Sequence, residues 1–209
     1  MPINIRVLLV DDHSMVRRGF RLMLEDESDI RVIGEAADGE EAVRLAKQLC
    51  PDVVVMDCAL PGLSGLIATR NILQNSPEIA VLMLSMHSES TLVRQALGAG
   101  ARGYILKSAV DIELVSAVRK VAAGETVIDS QISLPTPLKG ERDSSLTVRE
   151  LEILQLIVEG KSNKEIASQL DLSANTVAVH RANIMDALGI HKTAELVVYA
   201  IRNGLVTLP

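Results

Sequence analysis

Over its first 125 or so residues the chain alternates short apolar runs with amphipathic stretches, and that rhythm leaves few folds open. The runs fall at residues 5–10, 30–34, 53–56, 81–84 and 104–106. They are too short for independent helices, and the run at 53–56 is mostly β-branched. Between them lie segments of about 10–14 residues with a 3.6-residue period. In the first of these, Met15, Phe20, Leu22 and Met23 mark the apolar side and charges the other. Strands that read as continuous apolar runs are buried on both faces, as when helices cover both sides of a parallel sheet. The pattern predicts a doubly wound α/β domain of five strands.

The rhythm stops near Glu125. Residues 125–144 carry two prolines, a glycine and a polar end, which reads as a linker with one short helical turn. Beyond it the apolar runs are helical throughout. Thr147 with Glu150, and Ser162 with Glu165, fit the capping box, in which hydroxyl and carboxylate satisfy opposite backbone donors at a helix start. Ser173 and Thr193 read as two further caps, with Gly160, Gly189 and Gly204 as stops. The expected division is an α/β domain at 1–124, a linker at 125–144, and a small all-α four-helix domain at 145–209.

Composition narrows the function classes. A net charge of −6 gives no global pull toward nucleic acid, so any contact with DNA must be local. With Phe20, Tyr104 and Tyr199 as the aromatics, modes that stack bases on aromatic platforms have almost nothing to work with. No apolar run approaches the length of a membrane span. The N-terminal stretch meets acids by position 11 and lacks a cleavage signature, so a cytoplasmic location is expected. Cys50 and Cys58 have no metal-like spacing and are expected to be buried small hydrophobes.

In a doubly wound sheet, ligands sit beyond the carboxyl ends of the strands. Asp11 and Asp12 follow the first run, Asp57 the third, Ser85 the fourth and Lys107 the fifth. Three carboxylates gathered on one edge repel one another unless a cation intervenes. Oxygen donors with an incomplete shell suit Mg2+, which favours one or two carboxylates with a phosphate and waters. A lysine and a hydroxyl beside them suit a transferred phosphoryl group. Each residue alone has a plainer reading: Asp57 as a turn residue, Asp11 and Asp12 as caps near Ser14, Lys107 as a solvated loop residue. Their conjunction at four strand ends favours a phosphoryl–metal site.

The segments "LLVDDH", "VVVMDCALPGLSG", "VLMLSMH" and "GYILK" resemble, in order and spacing, the signature of the response-regulator receiver domain. The resemblance implies a flavodoxin-like fold in which Asp57 is the phosphoacceptor and Asp12 a direct Mg2+ ligand. Asp11 would reach the metal mainly through water, and the Ala59 backbone carbonyl would be a further ligand. Ser85 and Lys107 would contact phosphoryl oxygens, and Ala59 and His87 would tune the lifetime of the phosphate. Ser85 and Tyr104 match the family's switch pair, in which the ring turns inward as the hydroxyl moves to the phosphate. Phosphatases of the haloacid dehalogenase type carry an acid two residues after the nucleophile; here that residue is Ala59, so the proton shuttle is missing. Many receivers follow the lysine with proline, whereas here Ser108 follows Lys107.

Residues 146–190 resemble the LuxR-type helix-turn-helix of NarL/FixJ response regulators. The physical reading agrees: a scaffold helix at 164–170, a tight turn at 171–173 and a recognition-length helix at 174–188. On the last of these, Val177, Ile184 and Leu188 form the core stripe, with His180 a packing residue beside it. Asn175, Ala178, Val179, Ala182, Asn183 and Asp186 face outward. The family usually has lysine at the positions of Ala178 and Ala187, so weak monomer binding and a shallow salt dependence are expected. Lys161, Lys164, Arg181 and Lys192 are the phosphate candidates, and Asn175, Thr176, Val179 and Asn183 the base readers. Leu196, Val197 and Ala200 on the last helix are expected to form a dimer seam.

The sequence thus reads as a two-component response regulator rather than a turnover enzyme. Its expected partners are a histidine kinase, promoter DNA and a second copy of itself. The competing reading is an adaptor whose helical domain binds protein.

Overall fold

The computed structural model describes residues 4–132 and 146–202. Strands β1 (Ile5–Val10), β2 (Ile30–Ala36), β3 (Val53–Asp57), β4 (Ala80–Ser85) and β5 (Gly103–Leu106) alternate with five helices. These are α1 (Ser14–Glu25), α2 (Gly39–Leu49), α3 (Gly65–Asn75), α4 (Ser90–Gly98) and α5 (Val110–Ala122). A sixth strand, β6 (Val127–Ile128), completes a parallel sheet of order β2-β1-β3-β4-β5-β6. The expected α/β architecture is present, with one strand more than the five anticipated.

The period of two along each strand sorts the apolar side chains into two cores. Val7, Leu9, Val53, Val55, Leu82, Leu84 and Ile105 pack with Phe20 and Leu24 of α1 and with Leu114 and Val118 of α5. Leu8, Val10, Val54, Met56, Val81, Met83 and Tyr104 face the other way, toward Ala42 of α2, Leu66 and Ile72 of α3, and Leu92 and Val93 of α4. Burial on both faces explains why the strands read as unbroken apolar runs.

The readings of the α1 stripe and of Cys50 need correction. Phe20 and Met23 pack in the core as expected, but Met15 and Leu22 are 81% and 64% exposed, and Leu24, one turn after Phe20, completes the buried stripe of α1. Cys50 is exposed at the C-cap of α2, in the left-handed conformation (φ 45°), and only Cys58 is buried as expected. The first residues of the linker add a strand to the sheet, and the rest of it, residues 133–145, lies outside the described residues. Val127 pairs with Gly103 and Ile128 with Tyr104, and Asp129 follows fully buried, its two oxygens accepting from Leu106 N (3.0 Å) and Gln131 N (2.8 Å). The open edge of β5 supplied unpaired backbone groups, and residues 127–128 pair with them.

The C-terminal helices are α6 (Val148–Val158), α7 (Asn163–Leu170), α8 (Ala174–Leu188) and α9 (Thr193–Arg202). Both capping boxes form, and Ser173 caps α8 through Thr176 N. Gly160 (φ 80°) and Gly189 (φ 65°) take the left-handed conformation as stops, while Gly204 lies outside the described residues. Thr193 is the first residue of α9 rather than its cap, and Leu196 N donates to Lys192 O. No helix among the described residues is long and apolar enough to cross a membrane.

Candidate functional site

Parallel register brings the polar strand ends to one edge. Val10 pairs with Met56, Asp57 with Leu84 and Ser85 with Leu106, so Asp11, Asp57, Ser85 and Lys107 emerge side by side. Asp57 sits on the last residue of β3, where helix α3 approaches so closely that a Cβ at Gly65 would collide with the Asp57 carbonyl. That close approach is why glycine opens α3.

Lys107 Nζ lies 2.7 Å from Asp57 Oδ2 and 2.8 Å from Asp11 Oδ2, a cation between two buried acids. Asp57 Oδ1 accepts from Ala59 N at 3.2 Å, and Asp11 Oδ1 from His13 N at 2.8 Å. Asp12 is more open and pairs with His13, Nδ1 to Oδ1 2.6 Å. Ligand atoms of Asp11, Asp12, His13 and Asp57 all lie within 4.8 Å of one another. His13 was not singled out from the sequence, although its place beside two acids at a strand end was the available signal.

Burial pushes the Asp57 carboxyl up to about 6, against the pull of Lys107 and with added repulsion from Asp11. Burial alone would lower the Lys107 ammonium, but Asp57 and Asp11 outweigh it and raise it. Three carboxylates against one lysine leave excess negative charge among oxygen donors. That donor set fits a hard divalent cation such as Mg2+.

The residues matching the switch pair both hold His87. Ser85 Oγ accepts from His87 N at 3.0 Å, and the Tyr104 hydroxyl donates to His87 O at 2.8 Å. Tyr104 is fully buried rather than a half-buried strand aromatic, and burial pushes its phenol upward. His87 Nδ1 is 3.7 Å from Glu89 Oε2. Burial, with the Asp57 charge beside it, pushes the Cys58 thiol up to about 12, so it is an inert packing group. The Lys107–Ser108 peptide is trans, and residues Lys107–Ala109 form a 3-10 turn.

On the helical domain, Lys161, Lys164, Asn175, Val179, Asn183 and Lys192 are exposed and Thr176 half-buried. Val177 and Ile184 are buried and Leu188 packs against them, as the periodicity requires. Arg181 is half-buried and spans between helices, donating to Asn163 Oδ1 (3.1 Å) and Thr193 Oγ1 (3.4 Å). His180 has a buried Nδ1 without a hydrogen-bond partner among the described residues, which suits a packing residue. Leu196 and Ala200 are fully buried in this domain's own core and offer no surface to a second copy. Val197 is half-buried and Val198 is 47% exposed. The apolar residues of α9 are spread around the helix, so periodicity alone did not say which would turn inward.

Two families match. Residues 7–119 match the response regulator receiver domain, and residues 144–200 the luxR family of bacterial regulatory proteins. The chain is 43% identical over 208 residues to the response regulator UvrY of Escherichia coli K12, covering 96% of this chain and 95% of UvrY. It is 41% identical to the transcriptional regulatory protein LiaR of Bacillus subtilis, covering 97% and 99%. Among solved structures, RcsB of Salmonella enterica serovar Typhimurium bound to promoter rprA with phosphomimetic BeF3- superposes with a TM-score of 0.69 at 25% identity, covering 94% of this chain and 98% of that one. The luxR match favours the DNA-binding reading of the helical domain over the adaptor reading. Shared sheet, acidic strand ends, helix-turn-helix and full-length relatives together make this chain a two-component response regulator of the NarL/FixJ type, a transcription regulator rather than an enzyme.

Proposed function

We propose that Asp57 is the residue phosphorylated by a cognate histidine kinase, and that this controls binding to promoter DNA. The observation that carries the reading is Lys107 Nζ placed between Asp57 and Asp11, with Asp12 beside them. A carboxylate oxygen of Asp57 attacks phosphorus, the bond from phosphorus to the kinase imidazole breaks, and an aspartyl phosphate forms. Lys107 and Ser85 bind the phosphoryl oxygens, the first by charge and the second by a hydrogen bond. Asp11, Asp12, Asp57 and the Ala59 carbonyl would hold Mg2+, which neutralises charge on the transferring group. With Ala59 where a phosphatase has its acid, no side chain at that position delivers water, and the acyl phosphate lasts long enough to signal.

Phosphate binding shifts the switch only through unequal affinity for two arrangements. Ser85 and Tyr104 are both tied to the His87 backbone, so a phosphate that draws the Ser85 hydroxyl acts on the same peptide that the Tyr104 ring holds. Ala59, whose amide donates to Asp57, and His87, held by Ser85 and Tyr104, tune the rate of phosphate hydrolysis. DNA contact falls to Lys161, Lys164 and Lys192 for phosphates and to Asn175, Thr176, Val179 and Asn183 for bases. Arg181 serves first as an internal brace. Two copies pair on adjacent half-sites, with the seam over Val197 and Val198 rather than Leu196 and Ala200. The protein works in the cytoplasm, and residues 1–124, 125–144 and 145–209 are the receiver, linker and DNA-binding segments.

The test is acyl-phosphate labelling with a small phosphodonor in Mg2+. Wild type should acquire a hydroxylamine-labile phosphate and Asp57→Asn none. Equal labelling of the two would reject the reading.

A further inference from the structure

We propose that Arg17, on the first turns of α1, is a positioning residue that orients Asp12 for the divalent cation. This rests on the reading that Asp11, Asp12 and Asp57 hold that ion.

Asp11 and Asp12 stand in the short turn between β1 and α1. The start of α1 lacks the usual side-chain clasp, since His13 at the N-cap makes no capping hydrogen bond. Asp11 is fixed through its side chain by Lys107 and His13 N. Asp12 is not fixed in this way. Its carboxylate is 32% exposed and pairs with His13, itself 68% exposed. A long-lived orientation for Asp12 must therefore come through its backbone.

Arg17 supplies that constraint. Its Nη1 donates to the carbonyl oxygen of Asp11 at 2.5 Å, and this carbonyl belongs to the peptide that leads into Asp12. Its Nε donates to Glu35 Oε2 on β2 at 2.9 Å. Arg21 holds the other oxygen of Glu35 at 2.8 Å, so the carboxylate is pinned from both sides. The guanidinium is thereby set between the loop and a strand of the sheet, and its side chain is 17% exposed. A planar guanidinium presents its donors in a rigid fork that fixes the direction of each bond, whereas a lysine offers a single ammonium nitrogen on a flexible stem.

Charge bears on the same arrangement. An unpaired guanidinium beside the acids would repel a dication. Glu35, held below the ordinary carboxylate range chiefly by Arg21 and also by Arg17, offsets it. The acids then keep their pull on the cation. Outer partners that orient metal ligands commonly change affinity about 10- to 100-fold when removed.

Mg2+ affinity, measured by calorimetry and by amide chemical-shift titration, tests this in the full-length chain. Wild type and Asp12→Ala serve as references, and circular dichroism melts establish folding. Arg17→Met should weaken Mg2+ binding about 10-fold. Arg17→Lys should fall between Arg17→Met and wild type. At saturating Mg2+ the labelling rate of both variants should stay within about twofold of wild type, because the ligands themselves remain. Folded Arg17 variants that bind Mg2+ like wild type would overturn the inference alone. A labelling rate that stays low at saturating Mg2+ would also overturn it, because the arginine would then be supporting the site as a whole. If wild type and Asp12→Ala both fail to bind Mg2+, it is the metal reading itself that fails. Should Arg17→Met not fold, Arg17→Lys and Glu35→Gln carry the same comparison.

Discussion

Lys107 places its ammonium nitrogen 2.7 Å from Asp57 Oδ2, joining the residue after β5 to the last residue of β3. Both side chains are largely out of water, and Asp11 shares the lysine from the other side. Removing one partner of a buried ion pair leaves charge without compensation. Lys107→Met should therefore lower metal-free stability by about 3 kcal/mol near neutral pH. Urea unfolding in chelator measures this, and the loss should shrink as Asp57 takes up a proton at lower pH.

Asp57 gives a signed pH dependence. Its carboxyl is raised to about 6, above the ordinary aspartate value, so between those values the folded chain binds more protons than the unfolded one. Stability from this group is present at low pH and is lost as pH rises through about 6. Metal-free Asp57→Asn should exceed wild type near pH 7.5 by about 1–3 kcal/mol, with the gap narrowing by about 1 kcal/mol near pH 5. Parallel denaturant titrations at the two pH values check the sign.

A cation that binds only the folded chain adds stability by mass action. At about 100 times its dissociation constant, Mg2+ should add about 2.7 kcal/mol to wild type. Asp12→Ala should show little change without metal, because Asp12 pairs with an exposed histidine, but should lose most of the Mg2+ increment. Thermal melts with and without Mg2+ separate the two effects.

Asp129 anchors the start of the linker to β5 through the Leu106 amide. Asp129→Ala leaves that buried donor without a partner, at a cost of about 2 kcal/mol. Hydrogen exchange at Leu106 and Val127 should accelerate in the variant, while the amides of β1 and β3 change only with global stability.

Ala178 is exposed on α8, on the face proposed to meet DNA. Ala178→Lys should tighten DNA binding and steepen the dependence of log affinity on log salt by about 1 per domain. Fluorescence anisotropy with a target promoter fragment at several salt concentrations reads the slope. Asn183→Ala should instead weaken binding selectively for the target sequence over random DNA.

Much of this protein is legible in its residue order. Apolar runs of strand length separated by helical periods determine a parallel sheet with two covered faces, because only that arrangement buries both sides of each strand. Asp11, Asp57, Ser85 and Lys107 had to share an edge once the strands ran parallel. Thr147, Ser162 and Ser173 announced their helices because caps act within one turn.

What only the tertiary structure decided lies in contacts between distant segments. The alternation of apolar residues did not show that β5 had a free edge for Val127 and Ile128. Nor did it show that Met15 and Leu22 would be left outside while Leu196 and Ala200 turned fully inward. The reach of Arg17 to Asp11 and Glu35, and of Tyr104 to His87, likewise depends on how helix and strand sit on one another. Local pattern specifies which faces are apolar, but which partner meets each face is set by the energy of packing the whole chain.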